Sequence, residues 1–204
     1  QDLVDGVVEI RILEGRYGTI DIRNATELSE QRIRSMLGDI KEGVVIHGPT
    51  LEEKVLLLSD LAGIVPKATL EPGESTGLSD LVLEIGAGRA REFNLSVDNA
   101  GNRITGRHRL SGSVVSNSLV EVGDRLTASG VTSGERLLSL RLAYELSLGA
   151  GGVRGGPFVS RSTYLLGEEF RALDAHGTAD SLGASLVIPL VRSSALNLRV
   201  ITSI

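Results

Sequence analysis

Residues 137–148 read Leu-Leu-Ser-Leu-Arg-Leu-Ala-Tyr-Glu-Leu-Ser-Leu, and apolar and polar side chains alternate almost throughout. Leucine or tyrosine occupies every even position from 138 to 148, whereas serine, arginine, alanine or glutamate occupies the odd positions from 139 to 147. Because successive side chains of a β-strand point to opposite faces, this stretch predicts a strand with one apolar and one polar face. Its length is close to the roughly 9–11 residues that a tilted strand needs to cross a bilayer.

The same alternation recurs along the second half of the chain. Phe93, Leu95 and Val97 alternate with polar residues, and a similar row runs from Leu182 to Leu190. Glycine is abundant, with 25 among 204 residues, and the segment 99–102, Asn-Ala-Gly-Asn, is typical of a tight hairpin. The pattern predicts an antiparallel up-and-down meander, with strands near 90–98, 104–115, 124–131, 137–148, 156–166, 181–191 and 196–204.

Two architectures suit such a meander. In a soluble sandwich the apolar face packs inward, whereas in a transmembrane barrel it faces lipid and the arginines face a wet lumen. Periodicity does not separate these two cases. Long strands and a polar face rich in glycine, serine and Arg/Glu pairs favour the barrel, although three Tyr and three Phe make a thin aromatic girdle.

The first part of the chain shows the period of helices instead. Ile33, Met36, Leu37 and Ile40 recur at helical spacing, and a second apolar stripe covers residues 51–62. Strand patterns precede and follow the two helices, at residues 17–23, 65–70 and 80–85. The predicted order is β-α-α-β-β, so the fold class is an α+β domain followed by an all-β meander.

Charge divides the chain at about the same point. Residues 1–86 carry 8 Lys or Arg and 16 Asp or Glu, a net charge of −8, whereas residues 87–204 carry 13 and 10. The overall charge of −5 disfavours nucleic acid as a partner. The acidic part would either steer a partner electrostatically or keep the domain soluble. With no cysteine and three scattered histidines, no metal and no cofactor are expected.

Two glycine-rich segments match catalytic or phosphate-binding motifs, but neither has the context that the chemistry needs. The segment 73–77, Gly-Glu-Ser-Thr-Gly, fits the nucleophile elbow G-x-S-x-G, which leads from a strand into a helix; here it joins two predicted strands. Residues 149–156 likewise precede a strand and not the helix N-terminus that a phosphate cradle requires. We therefore expect the chain not to be an enzyme.

Several segments together resemble one family of transporters. They are Leu51-Glu-Glu-Lys-Val-Leu-Leu-Leu-Ser-Asp-Leu-Ala-Gly63, Lys67-Ala-Thr-Leu-Glu-Pro-Gly73, Gly77-Leu-Ser-Asp-Leu-Val82, Val97-Asp-Asn-Ala-Gly101, Tyr144-x-Leu-x-Leu148 and Ile188-Pro-Leu-Val-Arg-Ser193. In this order they resemble the outer-membrane transporters of two-partner secretion, of the haemolysin-activator and filamentous-haemagglutinin exporter type. The family's later half, with its Val-Arg-Gly-Tyr loop motif, does not follow, so a fragment is expected.

The resemblance implies a division of the chain and a location. Residues 16–86 would be a polypeptide-transport-associated (POTRA) domain in the periplasm, and residues 1–15 the end of a preceding one. Residues 87–204 would be the first strands of a barrel in the outer membrane of a Gram-negative bacterium. The implied function is translocation of a secreted partner protein, an adhesin or haemolysin. A barrel-assembly insertase and a soluble β-sandwich binding or structural module are the alternatives.

The resemblance also implies where the exported client would bind. The client would add as a strand to the edge of the POTRA sheet, at Val65, Lys67, Thr69 and Leu70. An unpaired edge offers backbone hydrogen bonds and makes little demand on client sequence. Proline at Lys67 or Thr69 is expected to remove an edge N–H and to block strand addition.

In the barrel, Arg107, Arg109, Arg141 and Glu145 are expected to face the lumen. The leucine face would meet outer-membrane lipid, because a charged side chain is costly there. The chain taken alone would have unpaired first and last strands. It is therefore expected to self-associate through strand edges or to bind detergent.

Overall fold

A computed structural model of the chain describes residues 13–134 and 136–204, together with the backbone of residues 3–4 and 7–8. The two short N-terminal strands, β1 (Leu3–Val4) and β2 (Val7–Val8), pair antiparallel. The expected end of a preceding domain, at residues 1–15, lies mostly outside the described residues.

The α/β unit has the predicted order. It consists of β3 (Arg16–Asn24), α1 (Glu30–Leu37), α2 (Gly48–Ser59), β4 (Ile64–Pro72) and β5 (Leu78–Ala87). The strand order in the sheet is β3-β5-β4, with β3 parallel and β4 antiparallel to β5. This arrangement confirms the β-α-α-β-β prediction and places β4 at one edge of the sheet.

Local signals explain where the helices begin and end. Ser29 caps α1, because its side chain accepts a hydrogen bond from the backbone N–H of Arg32. Gly38 ends the helix with a φ of +62°, a conformation that glycine adopts without strain. Pro49 lies in the first turn of α2, where its missing N–H leaves no helical bond unmade.

A hydrophobic core lies between the two helices and the three-stranded sheet. Leu58, Leu81 and Leu83 have no exposed surface. The helical positions predicted to be apolar, Ile33, Met36, Leu37 and Ile40, are all buried. The alternating strand β5 therefore presents its inner residues to two amphipathic helices, as the sequence periodicity requires.

The second half forms one antiparallel sheet of seven strands in chain order. They are β6 (Arg91–Asp98), β7 (Arg109–Asn117), β8 (Arg125–Thr132), β9 (Leu137–Leu148), β10 (Val153–Leu165), β11 (His176–Arg192) and β12 (Asn197–Ser203). The sheet does not close, so β6 and β12 each pair on one side. Within the described residues no second sheet packs on its apolar face, so the sandwich alternative does not fit.

One hairpin differs from its prediction. β6 and β7 are joined by the loop 99–108, whereas the sequence favoured a tight turn at 99–102 and a strand from 104. Gly106, with a φ of +111°, interrupts the extended backbone, and the N–H of Gly101 donates to the carbonyl of Arg107 across the loop. Arg107 therefore lies in this loop and not in a strand, which corrects its expected position.

The connections differ between the two ends of the sheet. The near end, next to the α/β unit, has the short turns 118–124, 149–152 and 193–196. The far end has the loops 99–108 and 166–175, the last with a 3₁₀ turn at Glu168–Leu173, and the connection from β8 to β9. The two ten-residue loops at the far end are longer than any near-end turn, and shorter turns at one end with longer loops at the other are typical of bacterial outer-membrane barrels.

Candidate functional site

The β4 edge is the first candidate site. Among the described strands, β4 pairs with β5 alone, and α2 packs beside it. The side chains of Ile64 and Ala68 face the core, whereas those of Val65, Lys67 and Thr69 lie on the opposite face and are exposed. An open strand edge beside a helix is therefore present where the sequence predicted it.

Two hydrogen bonds determine which backbone groups of β4 are free. The N–H of Gly73 donates to the carbonyl of Leu78, and the N–H of Gly88 donates to the carbonyl of Gly63. Hydrogen-bonded pairs alternate along an antiparallel ladder, and the register has no bulge, so odd-numbered residues of β4 bond to β5. The backbone groups of the even-numbered residues from 66 to 72, which are Pro66, Ala68, Leu70 and Pro72 in sequence order, therefore point away from β5 at the edge.

The free edge is bounded by prolines. Pro66 and Pro72 have no N–H, so Ala68 and Leu70 supply the free donors of β4, and the carbonyls between the prolines are acceptors. Prolines at such positions limit how far another strand can pair with an edge. The edge therefore offers a short window for strand addition.

Of the four predicted client-binding residues, Leu70 has its N–H free at the edge, whereas Val65, Lys67 and Thr69 bond to β5. Lys67 forms an ion pair with Glu84, with 3.3 Å between Nζ and Oε2, and its N–H and that of Thr69 bond to β5. The prediction that proline at Lys67 or Thr69 removes a free edge N–H is therefore wrong, because both N–H groups bond to β5. Pro66 is the sequence signal that identifies the outward-facing positions, since its nitrogen must face away from β5.

The polar face of the meander is rich in serine. One row across five neighbouring strands, β7 to β11, consists of Ser113, Ser129, Arg141, Ser160 and Ser181. The guanidinium of Arg141 lies 3.8 Å from the ring centroid of Phe158, which shares this face. An adjacent cavity of about 490 Å³ has serine at half of its lining positions.

Three of the residues expected to face the lumen lie on this polar face, and the fourth lies in a loop. Arg109 begins β7 and pairs with Asp98 at 2.9 Å. Glu145 lies opposite Arg125 on β8 and 3.7 Å from the guanidinium of Arg154. Arg107 lies in the loop 99–108, outside the strands that form this face.

The opposite face of the meander is apolar and open. Phe93, Leu95 and Val97 on β6 keep 74–75% of their surface exposed, and Leu140 and Leu142 on β9 about half. Monomeric soluble proteins rarely leave so large an apolar area uncovered.

All three near-end turns contact the α/β unit. The N–H of Ala62 donates to the carbonyl of Gly123, and the Ser118 hydroxyl donates to the carbonyl of Ala62. Ala150 packs against the core of the unit, and the N–H of Ser194 donates to Glu52. The meander is thus attached to the unit along its near end.

A buried carboxylate organises the first of these turns. Asp124 is 1% exposed and accepts bonds from the N–H groups of Leu119, Val120 and Glu121 and from the Tyr144 hydroxyl. Burial acts to raise the pKa of Asp124, but these hydrogen bonds outweigh it and hold the pKa below its ordinary value of 3.8.

The second attachment is ionic. Both carboxylate oxygens of Asp60, which follows α2, accept bonds from the guanidinium of Arg192 at the end of β11, each at 2.9 Å. Arg154 on β10 donates to the Asp60 carbonyl at 3.3 Å. A bidentate pair of this kind fixes orientation as well as distance.

Neither a metal centre nor a helical membrane anchor was found in the described part of the chain. Residues 13–134 and 136–204 hold no group of three or more His, Cys, Asp or Glu that could bind a metal ion. None of their helices is both long and apolar enough to span a membrane.

The chain is similar to known secretion proteins. The sequence model of the family "Haemolysin secretion/activation protein ShlB/FhaC/HecB" matches residues 77–200, which is more than half of the chain. Heme/hemopexin transporter protein HuxB of Haemophilus influenzae is 29% identical over 195 residues, covering 95% of this chain and 34% of that protein. Outer membrane transporter CdiB of Dickeya dadantii is 29% identical over 125 residues, 61% of this chain and 22% of that protein.

Solved structures share the fold. CdiB from Escherichia coli superposes with a TM-score of 0.64 and 23% identity, covering 100% of this chain and 38% of that one. BamA from Haemophilus ducreyi lacking POTRA domains 1–3 superposes with a TM-score of 0.54 and 14% identity, over 84% of this chain and 32% of that one. The chain spans about a third of the length of HuxB, the curated relative that it matches over most of its own sequence.

Proposed function

The chain belongs to the ShlB/FhaC/HecB family of haemolysin secretion/activation proteins, and we propose that the full-length protein exports a secreted partner protein across the outer membrane of a Gram-negative bacterium. The family consists of secretion proteins and not of enzymes. The relatives HuxB and CdiB are both named as transporters, which supports the proposed export function. The client is a haemolysin or adhesin in this proposal.

The two parts of the chain have separate roles in the proposal. Residues 16–86 are a POTRA domain in the periplasm, and residues 87–204 are the first seven strands of the barrel wall. Residues 1–15 belong to a preceding POTRA domain. The short near-end turns beside the α/β unit support this orientation, because such turns lie on the periplasmic side of outer-membrane barrels.

The observation that carries the proposal is the free edge of β4. The client, in extended form, adds to the window between Pro66 and Pro72, where Ala68 and Leu70 donate and the outward carbonyls accept. Main-chain bonds give affinity for many sequences, which suits a carrier of a long polypeptide. Val65 and Leu70, which are 57% and 42% exposed, provide apolar contact on the two faces of the edge.

Proline and alanine at one position test this site. Leu70→Pro removes a free N–H, whereas Leu70→Ala removes the same side chain and keeps the N–H. We expect Leu70→Pro to abolish secretion and Leu70→Ala to reduce it slightly, with both proteins inserted in the outer membrane. Ala68→Pro should repeat the loss. Equal secretion by Leu70→Pro and Leu70→Ala would contradict strand addition at β4.

The second element is the orientation of the barrel wall. Arg109, Arg141 and Glu145 face the lumen in the proposal, together with the serine row, and Leu140 faces lipid. Single cysteines at 140 and 141, which are adjacent on β9, test this in the membrane-embedded protein. A lipid-soluble reagent should label position 140 and a water-soluble one position 141. The reverse pattern would contradict the assignment.

Self-association is expected only when the 204-residue chain is studied on its own. β6 and β12 have unpaired edges, and the leucine face has no lipid in water, so the 204-residue chain should form oligomers or bind detergent. Light scattering with and without detergent measures this. A detergent-free monomer would show that the open face is covered in another way.

A further inference from the structure

A cationic cleft lies where the α/β unit meets the polar face of the meander. Its volume is about 320 Å³, and its walls include Asp60, Arg154, Arg192, Asn197 and Arg199. The arginines come from β10, β11 and β12, and Asp60 lies four residues before β4 begins. The cleft therefore lies on the polar face of the meander, beside the segment that leads from α2 into β4.

The cleft already binds one carboxylate. Asp60 accepts two bonds from the Arg192 guanidinium, and their side chains are 23% and 18% exposed. Arg154 donates to the carbonyl of Asp60 and lies 3.7 Å from Glu145. Planar guanidinium groups bind carboxylates in this bidentate way, and partial burial strengthens the contact.

Positively charged groups of the cleft remain without partners among the described residues after these contacts. Arg199 on β12 forms no ion pair with any residue that the structure describes, and the buried Nε of Arg154 has no hydrogen-bond partner there. Three guanidinium groups thus face two carboxylates. A buried donor without a partner is costly, so an additional acceptor in this cleft is favoured.

We propose that this cleft is a carboxylate-binding site, which receives Asp or Glu side chains of the exported polypeptide between the β4 edge and the lumen. Asp60 is the internal carboxylate that an incoming one competes with for the arginines. This inference rests on the proposed export function. The cleft would add a preference for acidic residues to binding at the β4 edge, which otherwise depends on backbone hydrogen bonds alone.

Two peptides that differ only in charge test the proposal. A fluorescent Thr-Glu repeat and its Thr-Gln counterpart are titrated against the full-length protein in detergent, and anisotropy gives both affinities. We expect the Glu peptide to bind more tightly, and Arg199→Gln to weaken its binding about tenfold while leaving the Gln peptide unchanged. Asp60→Asn should strengthen Glu-peptide binding several-fold, because it removes the competitor.

Controls separate this site from other roles. Arg161→Gln removes an exposed arginine of the apolar face, paired with Asp180, and should change neither affinity. Leu70→Pro should weaken both peptides equally, so failure of the edge proposal leaves the Glu–Gln difference intact. Equal binding of the two peptides, or an Arg199→Gln variant that keeps the difference, would overturn the cleft proposal. Arg199 is exposed and forms no ion pair with the described residues, so this variant should keep the fold, which its thermal unfolding checks.

Discussion

The α/β unit and the meander treat their apolar side chains in opposite ways. Leu58, Leu81 and Leu83 have no exposed surface, whereas Phe93 and Leu95 on β6 keep about three quarters of theirs. Both regions follow the periodicity of their secondary structure, so periodicity alone does not decide burial. The unit encloses its own core, whereas the meander needs an apolar partner outside the described chain, which in the proposed function is lipid.

Loss of a leucine should distinguish the two regions most strongly. Leu58→Ala leaves a cavity in a closed core and should cost about 2–5 kcal/mol of unfolding free energy. Leu95→Ala, on the open face, should cost far less in detergent, because lipid or detergent fills the space. Denaturant unfolding of both variants measures the difference. Equal costs would indicate that β6 is buried in the same way as the core.

Arginine on β9 should show which solvent each face of the meander meets. Leu142→Arg places a charge on the apolar face and should cost roughly 2–4 kcal/mol if that position lies near the bilayer centre. Ser139→Arg, on the polar face of the same strand, should cost much less, because its guanidinium stays hydrated. Folding into liposomes gives both values. A larger cost for Ser139→Arg would reverse the two faces.

Asp124 lies in a turn of the meander, but its side chain is as fully buried as those in the core of the α/β unit. Asp124→Ala leaves three N–H groups and the Tyr144 hydroxyl without their acceptor and should cost about 1–3 kcal/mol. The pKa of Asp124 in the folded protein lies below the ordinary 3.8. The Asp124 carboxylate therefore contributes its full share of stability above pH 3.8, and this share is lost as the pH falls through the pKa of the folded state.

Thermal unfolding from neutral pH to about pH 3 measures this loss. The difference in thermal stability between the parent protein and Asp124→Ala should shrink only in the acidic range. Glu121→Ala is the control, because only its backbone N–H joins the turn and its side chain is exposed. A constant difference at all pH values would show that charge on Asp124 does not contribute.

The far-end loops should give the smallest effect. Arg103 binds Glu169 at 2.7 and 2.9 Å, but the side chains are 55% and 50% exposed. Arg103→Ala should cost less than about 1 kcal/mol, and high salt should have a similar effect. Hydrogen exchange should rise in loops 99–108 and 166–175 and stay unchanged in the near-end turns. A large fall in thermal stability would contradict this view.

Local pattern predicted most of the fold. The apolar face of α1, the order β-α-α-β-β and the alternation on β9 each depend on neighbours within a few residues. The sequence predicted too early a start for β7, because alternation continues through Ile104, Thr105 and Gly106. In the structure, residues 103–105 form a turn and Gly106 has a positive φ, so the strand begins only at Arg109. Arg107 was misplaced for the same reason.

The site depended on information that local pattern does not contain. Asp60 and Arg192 are 132 residues apart, and a single charge has no spacing signal that names its partner. The edge of β4 was predicted, but its free donors were not, because hydrogen-bond phase depends on pairing with β5. Pro66 did indicate which residues bond to β5. Proline has no N–H to donate, so its nitrogen must lie on the side of the strand that faces away from the partner.

In the proposed function, the serine row on the polar face would affect how an exported polypeptide slides along it. A serine hydroxyl both donates and accepts, so a chain that shifts by one residue exchanges each bond for an equivalent one. Each exchange involves about 1 kcal/mol, close to thermal energy, and the free-energy profile along the wall is nearly flat. Arg141, stacked on Phe158, is a step in that profile. Diffusion along this row would therefore be smooth except at Arg141.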